Sequence, residues 1–594
     1  MIEKMTRYDF ILLSGDESRF LAQLQEAGLV DITRSTRPVD EQTAALKTRA
    51  GKLQDLLSAL ERLPIPGDIQ PVPFEGDLAT ALPELLDKIS TTQEELKASR
   101  KALSALKPWG TFSSETLRAL EEAGCPLHFH VTPSKVFNPS WAETYPLEII
   151  AVESGKTYYV VAAEKDTLPD LIPMPSGSAE ETEARITALE DELSRLYARA
   201  LGARERAGEL QQDFTVLMSE LDLRLAGAAA VPAAENTIVT LTGYAPSGED
   251  AAVTATLDAT GVFYLKDRAT AADNPPISLR NNKFVRMFEV LTDMYGRPAY
   301  DGFDPTPFIA FFFLLFFAFC MGDCGYGLVL IVIGLLLRKV DSFKSLAPLV
   351  VTLGAGTAVI GFLFHTFFSI DISTWSVFSP IKGIFLPSKI AGYDGTMILA
   401  LVVGVVHICF AMVVKTATET RNKGFFNALG TWGWTLLIVG GVAVGALSLA
   451  GVLDKAVTKI VIIVIGVLSA LGIFVFNDLK RNKLANVGAG LWETYNTATG
   501  LLGDVLSYLR LYALGLAGSM LGMAFNSIGA MVLGDGSSPL LWIPFLLIVL
   551  VGHTLNLAMA ALGAFVHPLR LNFLEFFKNS GYEGSGRNFN PLKK

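Results

Sequence analysis

Arg510 is the only basic residue in an apolar run from about residue 491 to residue 533. Hydrocarbon penalises a guanidinium by at least ~2.5 kcal/mol on lenient insertion scales, and arginine cannot escape by losing its proton. Arg510 must therefore face a protein partner, a wet cavity or a counter-charge. Just before it, Glu493, Thr497, Gly500, Asp504 and Ser507 recur at steps of four and three and share one helix face.

A second stripe lies further on. His553, Asn556, Ala560, Gly563, His567 and Arg570 recur at steps of three and four on an otherwise apolar helix of about 38 residues. Taken alone, Arg570 fits a cation snorkelling at a helix end, and His553 fits a satisfied core histidine. Arg510 has no such reading, because more than twenty apolar residues follow it. Ala513, Gly515, Ala517, Gly518 and Gly522 beyond it let another helix come close. Two polar stripes, a membrane arginine and no nucleotide motif point to an ion path.

The elements that position these residues are membrane spans. Half of the 594 residues are hydrophobic, and the mean hydropathy is +0.39. Residues 1–300 carry 30 Lys and Arg against 45 Asp and Glu, whereas 301–594 carry 19 against 14. An acidic, helix-rich half thus precedes an apolar half, which implies a soluble domain on a membrane domain. Basic clusters at Arg338-Lys339, at Lys415 with Arg421 and Lys423, at Lys480-Arg481 with Lys483, and at the C-terminus fall in every second loop. The positive-inside rule makes those loops cytoplasmic. They agree with a cytoplasmic N-terminal domain if 307–337 is a tight hairpin turning at Gly322-Asp323-Cys324-Gly325-Tyr326-Gly327. A single tilted helix is the alternative. The hairpin gives eight spans, near 307–321, 324–338, 346–370, 396–415, 428–450, 457–477, 488–533 and 540–577, the last two long and tilted.

The first half, 1–300, reads as an α+β domain of two small α/β lobes joined by an antiparallel coiled coil. The proximal lobe is 1–40 with 230–300, the coiled-coil arms are 41–108 and 178–228, and the distal lobe is 109–177. A heptad seam runs Ile186, Leu189, Leu193, Leu196, Ala200, Ala203, Ala207, Leu210, Phe214, Leu217, Leu221. It predicts one continuous helix of about 54 Å. The proline-rich linker from Pro64 breaks the preceding helix into two. The start lacks an apolar h-region, so no cleaved signal is expected and the domain is read as cytoplasmic.

Several chemistries find no support. No P-loop, dinucleotide fingerprint or zinc spacing occurs, and Gly354-Ala355-Gly356-Thr357 lacks the lysine of a phosphate loop. Four cysteines are too few for a disulfide framework, and Cys320 and Cys324 read as apolar packing. His128 and His130 lack a third ligand. No cofactor, metal or nucleic-acid partner is expected.

The chain resembles the membrane subunit of rotary V-type and V/A-type ATPases, subunit a, or subunit I in prokaryotic naming. Four stretches carry the resemblance. They are Tyr295-Gly296-Arg297-Pro298 with Asp304-Pro305-Thr306-Pro307; the Gly322–327 turn; Ser507-Tyr508-Leu509-Arg510-Leu511; and Phe565-Val566-His567-Pro568-Leu569-Arg570-Leu571 with Glu575-Phe576-Phe577. The resemblance implies a non-catalytic stator subunit in a bacterial or archaeal plasma membrane, with the N-terminal domain and C-terminus cytoplasmic. It implies that Arg510 separates two offset half-channels and draws a carboxylate of a proteolipid c-ring into its ionised form. At an effective dielectric of ~20 and ~4 Å such a pair is worth about 4 kcal/mol. Glu493, Asp504 and Ser507 would line the cytoplasmic path. His553, Asn556, Asp323 and His407 would line the outer one, and His567 and Arg570 would keep polarity near Arg510. The N-terminal domain would hold the E and G subunits of the peripheral stalks, with the C/d subunit of the central rotor turning nearby and lipid around the spans.

Two positions depart from the family pattern. Ala560 and Asn496 stand where some members carry acids, so those acids are not carried over. A competing reading is a secondary transporter with a soluble regulatory domain, in which Arg510 binds an anionic substrate. The internal repeats often found in such transporters are not seen.

Overall fold

The computed structural model describes the chain except residues 36–39, 111–113, 163–167, 169–170, 173–178, 236, 341–342, 378–379, 381–382, 384, 388, 391, 477–482, 535–537 and 594, and the side chains of 114, 115, 118, 171, 172 and 483–485. The basic cluster at Lys480 and Arg481 lies outside the described residues. The chain forms two compact units. One comprises Met1–Leu12, Leu29–Ile32 and Thr240–Pro591; the other comprises Leu13–Gly28, Thr33–Val239 and Leu592–Lys594.

In the second unit, helix Leu78–Leu106 runs antiparallel to Ala179–Glu205, and Glu41–Arg62 runs antiparallel to Ala207–Gly227. Gln93 bonds Tyr197 at 2.6 Å and Arg100 pairs with Glu190 at 2.7 Å, so the partners rise and fall in opposite senses. The heptad leucines do form the seam, with Leu189, Leu196, Leu210, Leu217 and Leu221 buried. The seam is not one helix, however: it breaks at Arg206 (φ −93°, ψ 6°). The proline-rich linker is the physical reason. It passes so close that a Cβ on Gly202 would lie 1.9 Å from the Val72 carbonyl oxygen, and Val72 N–H donates to Ala198 O at 3.0 Å. Arg206 turns aside to donate to Phe74 O at 2.8 Å and to pair with Glu209 at 2.7 Å. The same unit holds a four-stranded antiparallel sheet in the order Leu147–Glu153, Lys156–Ala162, Leu127–Pro133, Leu171–Ile172. His130 is fully buried there and stacks on Tyr159.

The first unit combines a sheet with the apolar helices. Strands Asp31–Ile32, Ile238–Pro246, Met5–Leu13 and Phe263–Arg268 lie side by side in that order. Asp250 is a polar node beside this sheet, bonded by Tyr8 Oη at 2.8 Å, Lys266 Nζ at 3.0 Å and Thr6 Oγ1 at 3.1 Å. The last turns of the chain tie back to it. Arg297 bridges Gly586, Ile277 bridges Asn588, and Asn590 N–H donates to the buried Asp31 carboxylate at 3.0 Å.

Among the described residues, five helices are long and apolar enough to cross a membrane: Gly395–Lys423, Phe426–Leu449, Lys455–Phe474, Asn486–Leu533 and Pro539–Ser580. Three shorter apolar helices precede them, Thr306–Met321, Cys324–Leu337 and Ala347–Leu363. The 307–337 run is therefore two helices, separated by Gly322 (φ 53°) and capped by the Asp323 side chain. Cys324–Leu337 and Ala347–Leu363 meet backbone to backbone. A Cβ on Gly361 would lie 2.2 Å from Cys324 N, and one on Gly327 2.4 Å from Ala358 N. Phe312, Phe313, Phe316 and Phe317 of the first short helix fill the core between these helices and the last two.

Candidate functional site

The long helix that carries Arg510 is broken beside it. Lys483–Ser507 and Leu509–Leu533 are separate helices with Tyr508 between them. Ser507 Oγ donates back to Gly503 O at 3.0 Å, a bond that competes with the helical ladder. Tyr508 and Leu511 are fully buried, and Tyr508 Oη bonds His407 Nδ1 at 2.8 Å. Arg510 is half-buried, and its Nη1 is buried with no hydrogen-bond partner among the described residues. Leaving a buried polar group unmatched costs about 1–3 kcal/mol, more for a charge. The site is thus incomplete for its own arginine.

The expected acidic face is half-buried along its length, from Glu493 through Thr497, Gly500 and Asp504 to Ser507. Asp504 is engaged: Lys578 Nζ lies 3.2 Å from both its oxygens, and Asn579 Nδ2 donates to it at 2.9 Å. Glu493 stands eleven residues earlier, about 16 Å along the helix. The structure adds an acid that the sequence reasoning had not assigned. Glu575 is 5% exposed, its Oε2 has no hydrogen-bond partner among the described residues, the Ser507 hydroxyl lies beside its carboxyl, and Asp504 and Arg510 lie within its electrostatic reach. It sits in a π-helical turn, Leu571–Phe576, that follows Pro568, the proline inside helix Trp542–Arg570. The only sequence signal for it was an acid five residues after Arg570.

The second stripe grades from buried to exposed. His553 and Asn556 are buried, Ala560, Gly563 and His567 are intermediate, and Arg570 is exposed. His567 lies within electrostatic reach of both arginines. At the other end a closed network forms. Tyr326 Oη donates to His553 Nδ1 at 2.7 Å and accepts from Asn556 Nδ2 at 2.8 Å, and Asn556 also donates to Gly518 O at 2.8 Å. His553 Nε2 donates to Asn526 Oδ1 at 2.9 Å, and Asn526 Nδ2 donates to Phe368 O at 2.9 Å. Every group fills one complementary role if Nε2 carries the proton. Tyr326 and Asn526 were missed, although a lone Asn in an apolar helix was a usable signal.

Asp323 closes this network from below. It accepts the N–H groups of Tyr326 (3.1 Å), Phe368 (2.9 Å) and Ser369 (2.6 Å). His407 lies apart from it, fully buried among Phe312, Phe316 and Phe576. Of the expected outer-path residues, the fold therefore unites His553, Asn556 and Asp323 and leaves His407 with Tyr508. The small residues past Arg510 serve close packing inside the chain. Gly515 faces Phe319 O, Gly518 faces Ala560, and Gly522 faces Ser369 and Asn556.

Comparison with known proteins is consistent in kind. Residues 233–345 match the family model described as "V-type ATPase 116kDa subunit family". The chain is 33% identical over 343 residues to "A-type ATP synthase subunit I" of Pyrococcus abyssi, covering 56% of this chain and 50% of that protein. It thus spans about half the length of that archaeal relative. It is 24% identical to "V-type ATP synthase subunit I" of Chlamydia trachomatis, and that match covers 98% of both chains. A crystal structure of the cytoplasmic N-terminal domain of subunit I, homolog of subunit a, of V-ATPase is matched over 44% of this chain, with 15% identity and a TM-score of 0.22.

Proposed function

We propose that this chain, a member of the V-type ATPase 116kDa subunit family, is the non-catalytic membrane stator of a rotary ATPase or ATP synthase. Arg510 acts on a carboxylate carried by a proteolipid c-ring. The observation that carries this is the buried Nη1 of Arg510, which has no hydrogen-bond partner among the described residues. Glu575, the nearby acid of this chain, makes no hydrogen bond to it, so the partner we propose for the guanidinium is an acid from outside the chain.

The two ends of the helix pair suit two half-channels. Glu493, Asp504 and Ser507 lead toward Arg510 from the end that carries Lys578, which we read as cytoplasmic. His553 and Asn556 line the opposite end, with Asp323 and His407 behind them holding backbone and Tyr508. His567 and Arg570 continue the polarity between the two. Residues 1–300 form the stator arm for the E and G subunits of the stalks, beside the C/d subunit of the central rotor. Residues 301–594 carry the ion path across the plasma membrane in about eight spans.

The test is ATP-driven ion uptake by the assembled complex in liposomes. Arg510→Ala is expected to abolish uptake while the complex still co-purifies with its ring. Full uptake in that variant rejects the reading, and solute uptake by the isolated chain would favour a secondary transporter.

A further inference from the structure

The Arg510 side chain has no hydrogen bond at Nη1 to aim it, so its direction must come from its neighbours. Tyr508 precedes it by two residues, a rotation of about 200°, so the two side chains leave the helix on nearly opposite sides. Tyr508 is wedged in place. It is fully buried, and it lies edge-on to Phe316 at 5.8 Å. A Cβ on Gly404 would come 2.4 Å from its Cγ, so only glycine leaves room for the ring. Its hydroxyl bonds His407 Nδ1 at 2.8 Å. His407 is itself immobilised, stacked on Phe576 at 4.9 Å and 2° and packed on Phe312 at 4.1 Å. All of this is concentrated at the one residue where the helix is interrupted.

We propose that Tyr508 and His407 are positioning residues for Arg510. Their hydrogen bond fixes how far the helix is rotated at its break, and so holds the guanidinium on the face opposite Tyr508. Neither residue touches the ion; each acts through the helix. At the break the ladder tightens to three-residue bonds, Tyr508 N–H to Val505 O at 3.2 Å and Leu511 N–H to Tyr508 O at 3.0 Å, and a buried side-chain bond from a neighbouring helix adds to them. His407 thereby leaves the outer path and joins the framework. The inference rests on the reading of Arg510 as the residue that meets a ring carboxylate.

The test uses the assembled complex in liposomes. Proton uptake is followed by quenching of an acridine dye and sodium uptake by radioactive Na⁺, each divided by ATP hydrolysed. Arg510→Ala comes first, and uptake that persists there sinks the functional reading itself. With uptake lost in that variant, Tyr508→Phe is expected to lower the ions moved per ATP about fivefold, the equivalent of one neutral hydrogen bond. Thr435→Val is the control, since it deletes a buried hydroxyl bonded to Thr416 at 2.6 Å. It is expected to leave the ratio unchanged. A wild-type ratio in Tyr508→Phe, or an equal fall in Thr435→Val, overturns the proposal. Should Tyr508→Phe fail to assemble, His407→Gln, which keeps a side-chain hydrogen-bonding group, is compared with His407→Leu. The ratio is expected to stay within about twofold in the first and to fall about fivefold in the second; equal ratios overturn the proposal.

Discussion

Asp323 accepts the backbone N–H of Ser369 at 2.6 Å, across forty-six positions of sequence. Ser369 sits at φ 60°, Phe368 at φ 46° and His365 at φ 51°. Left-handed backbone at non-glycine residues costs of order 1–3 kcal/mol each. A carboxylate that takes the N–H groups of both Phe368 and Ser369 offsets part of that cost. The same loop supplies the carbonyl that fixes Asn526. Asp323→Ala should therefore lower the thermal midpoint of the purified protein by an amount equivalent to about 2–4 kcal/mol. It should also weaken the His553 network. Thermal unfolding in detergent measures it, and an unchanged midpoint would show that the loop holds itself.

Asp504 is held by Lys578 and Asn579, whereas Glu493 lies on the same helix face further from Arg510. Joint neutralisation, Asp504→Asn with Glu493→Gln, should reduce ATP-driven ion uptake about tenfold or more if this face conducts. Normal flux would remove both residues from the path. Lys578→Met alone leaves Asp504 without that cation, and its effect separates pairing from conduction.

Asp250 gives the first unit an acid sensitivity. Desolvation pushes its carboxyl up, but the hydrogen bonds from Tyr8, Lys266 and Thr6 together outweigh it and hold the group below its usual range. A depressed folded value adds stability that is complete above the unfolded value of about 3.9 and is lost as pH falls through the folded one. Denaturant midpoints followed downward from about pH 6 should fall more steeply in the wild type than in Asp250→Asn. Parallel slopes would mean that the node contributes nothing to acid unfolding.

Gly202 reverses the ordinary rule for helices. Replacing a mid-helix glycine by alanine usually stabilises by about 1 kcal/mol. Here the new Cβ would meet the Val72 carbonyl oxygen at 1.9 Å, and a backbone atom yields little. Gly202→Ala should destabilise the coiled-coil unit, read as faster proteolysis in the 63–77 linker. A more protected linker would contradict the close approach.

Apolar periodicity made the regular parts of the fold legible and left the irregular ones hidden. Helix Glu17–Ala27 and the heptad leucines follow from apolar spacing, because burial on one face imposes the period. The break before Cys324 was readable from Gly322 and Asp323, but Gly325 and Gly327, expected in the turn, belong to helix Cys324–Leu337, where Gly327 instead admits the close approach of Ala358. The break at Arg206 was not, since it is caused by a linker 130 residues away crossing the helix. That Arg510 needs a partner was legible from hydrocarbon energetics alone, and its Nη1 has none among the described residues. Its anchor was not: Tyr508 was visible as a motif letter, but nothing in spacing brings it to His407, 101 residues earlier. Glu575 stayed hidden because an acid near a helix end reads as solvated, and only the π-helical turn carries it inward.

The carboxylate of Asp31 lies in the second strand of the chain and is 1% exposed, yet two of its partners are Arg587 and the N–H of Asn590. That last contact spans 559 residues. At ~5–20 residues per second of synthesis, the strand waits roughly half a minute to two minutes for its final contact. The first sheet to leave the ribosome is thus among the last to close. Its maturation reports that the membrane helices between have been made, and losing the final turns of the chain would be felt first at its beginning.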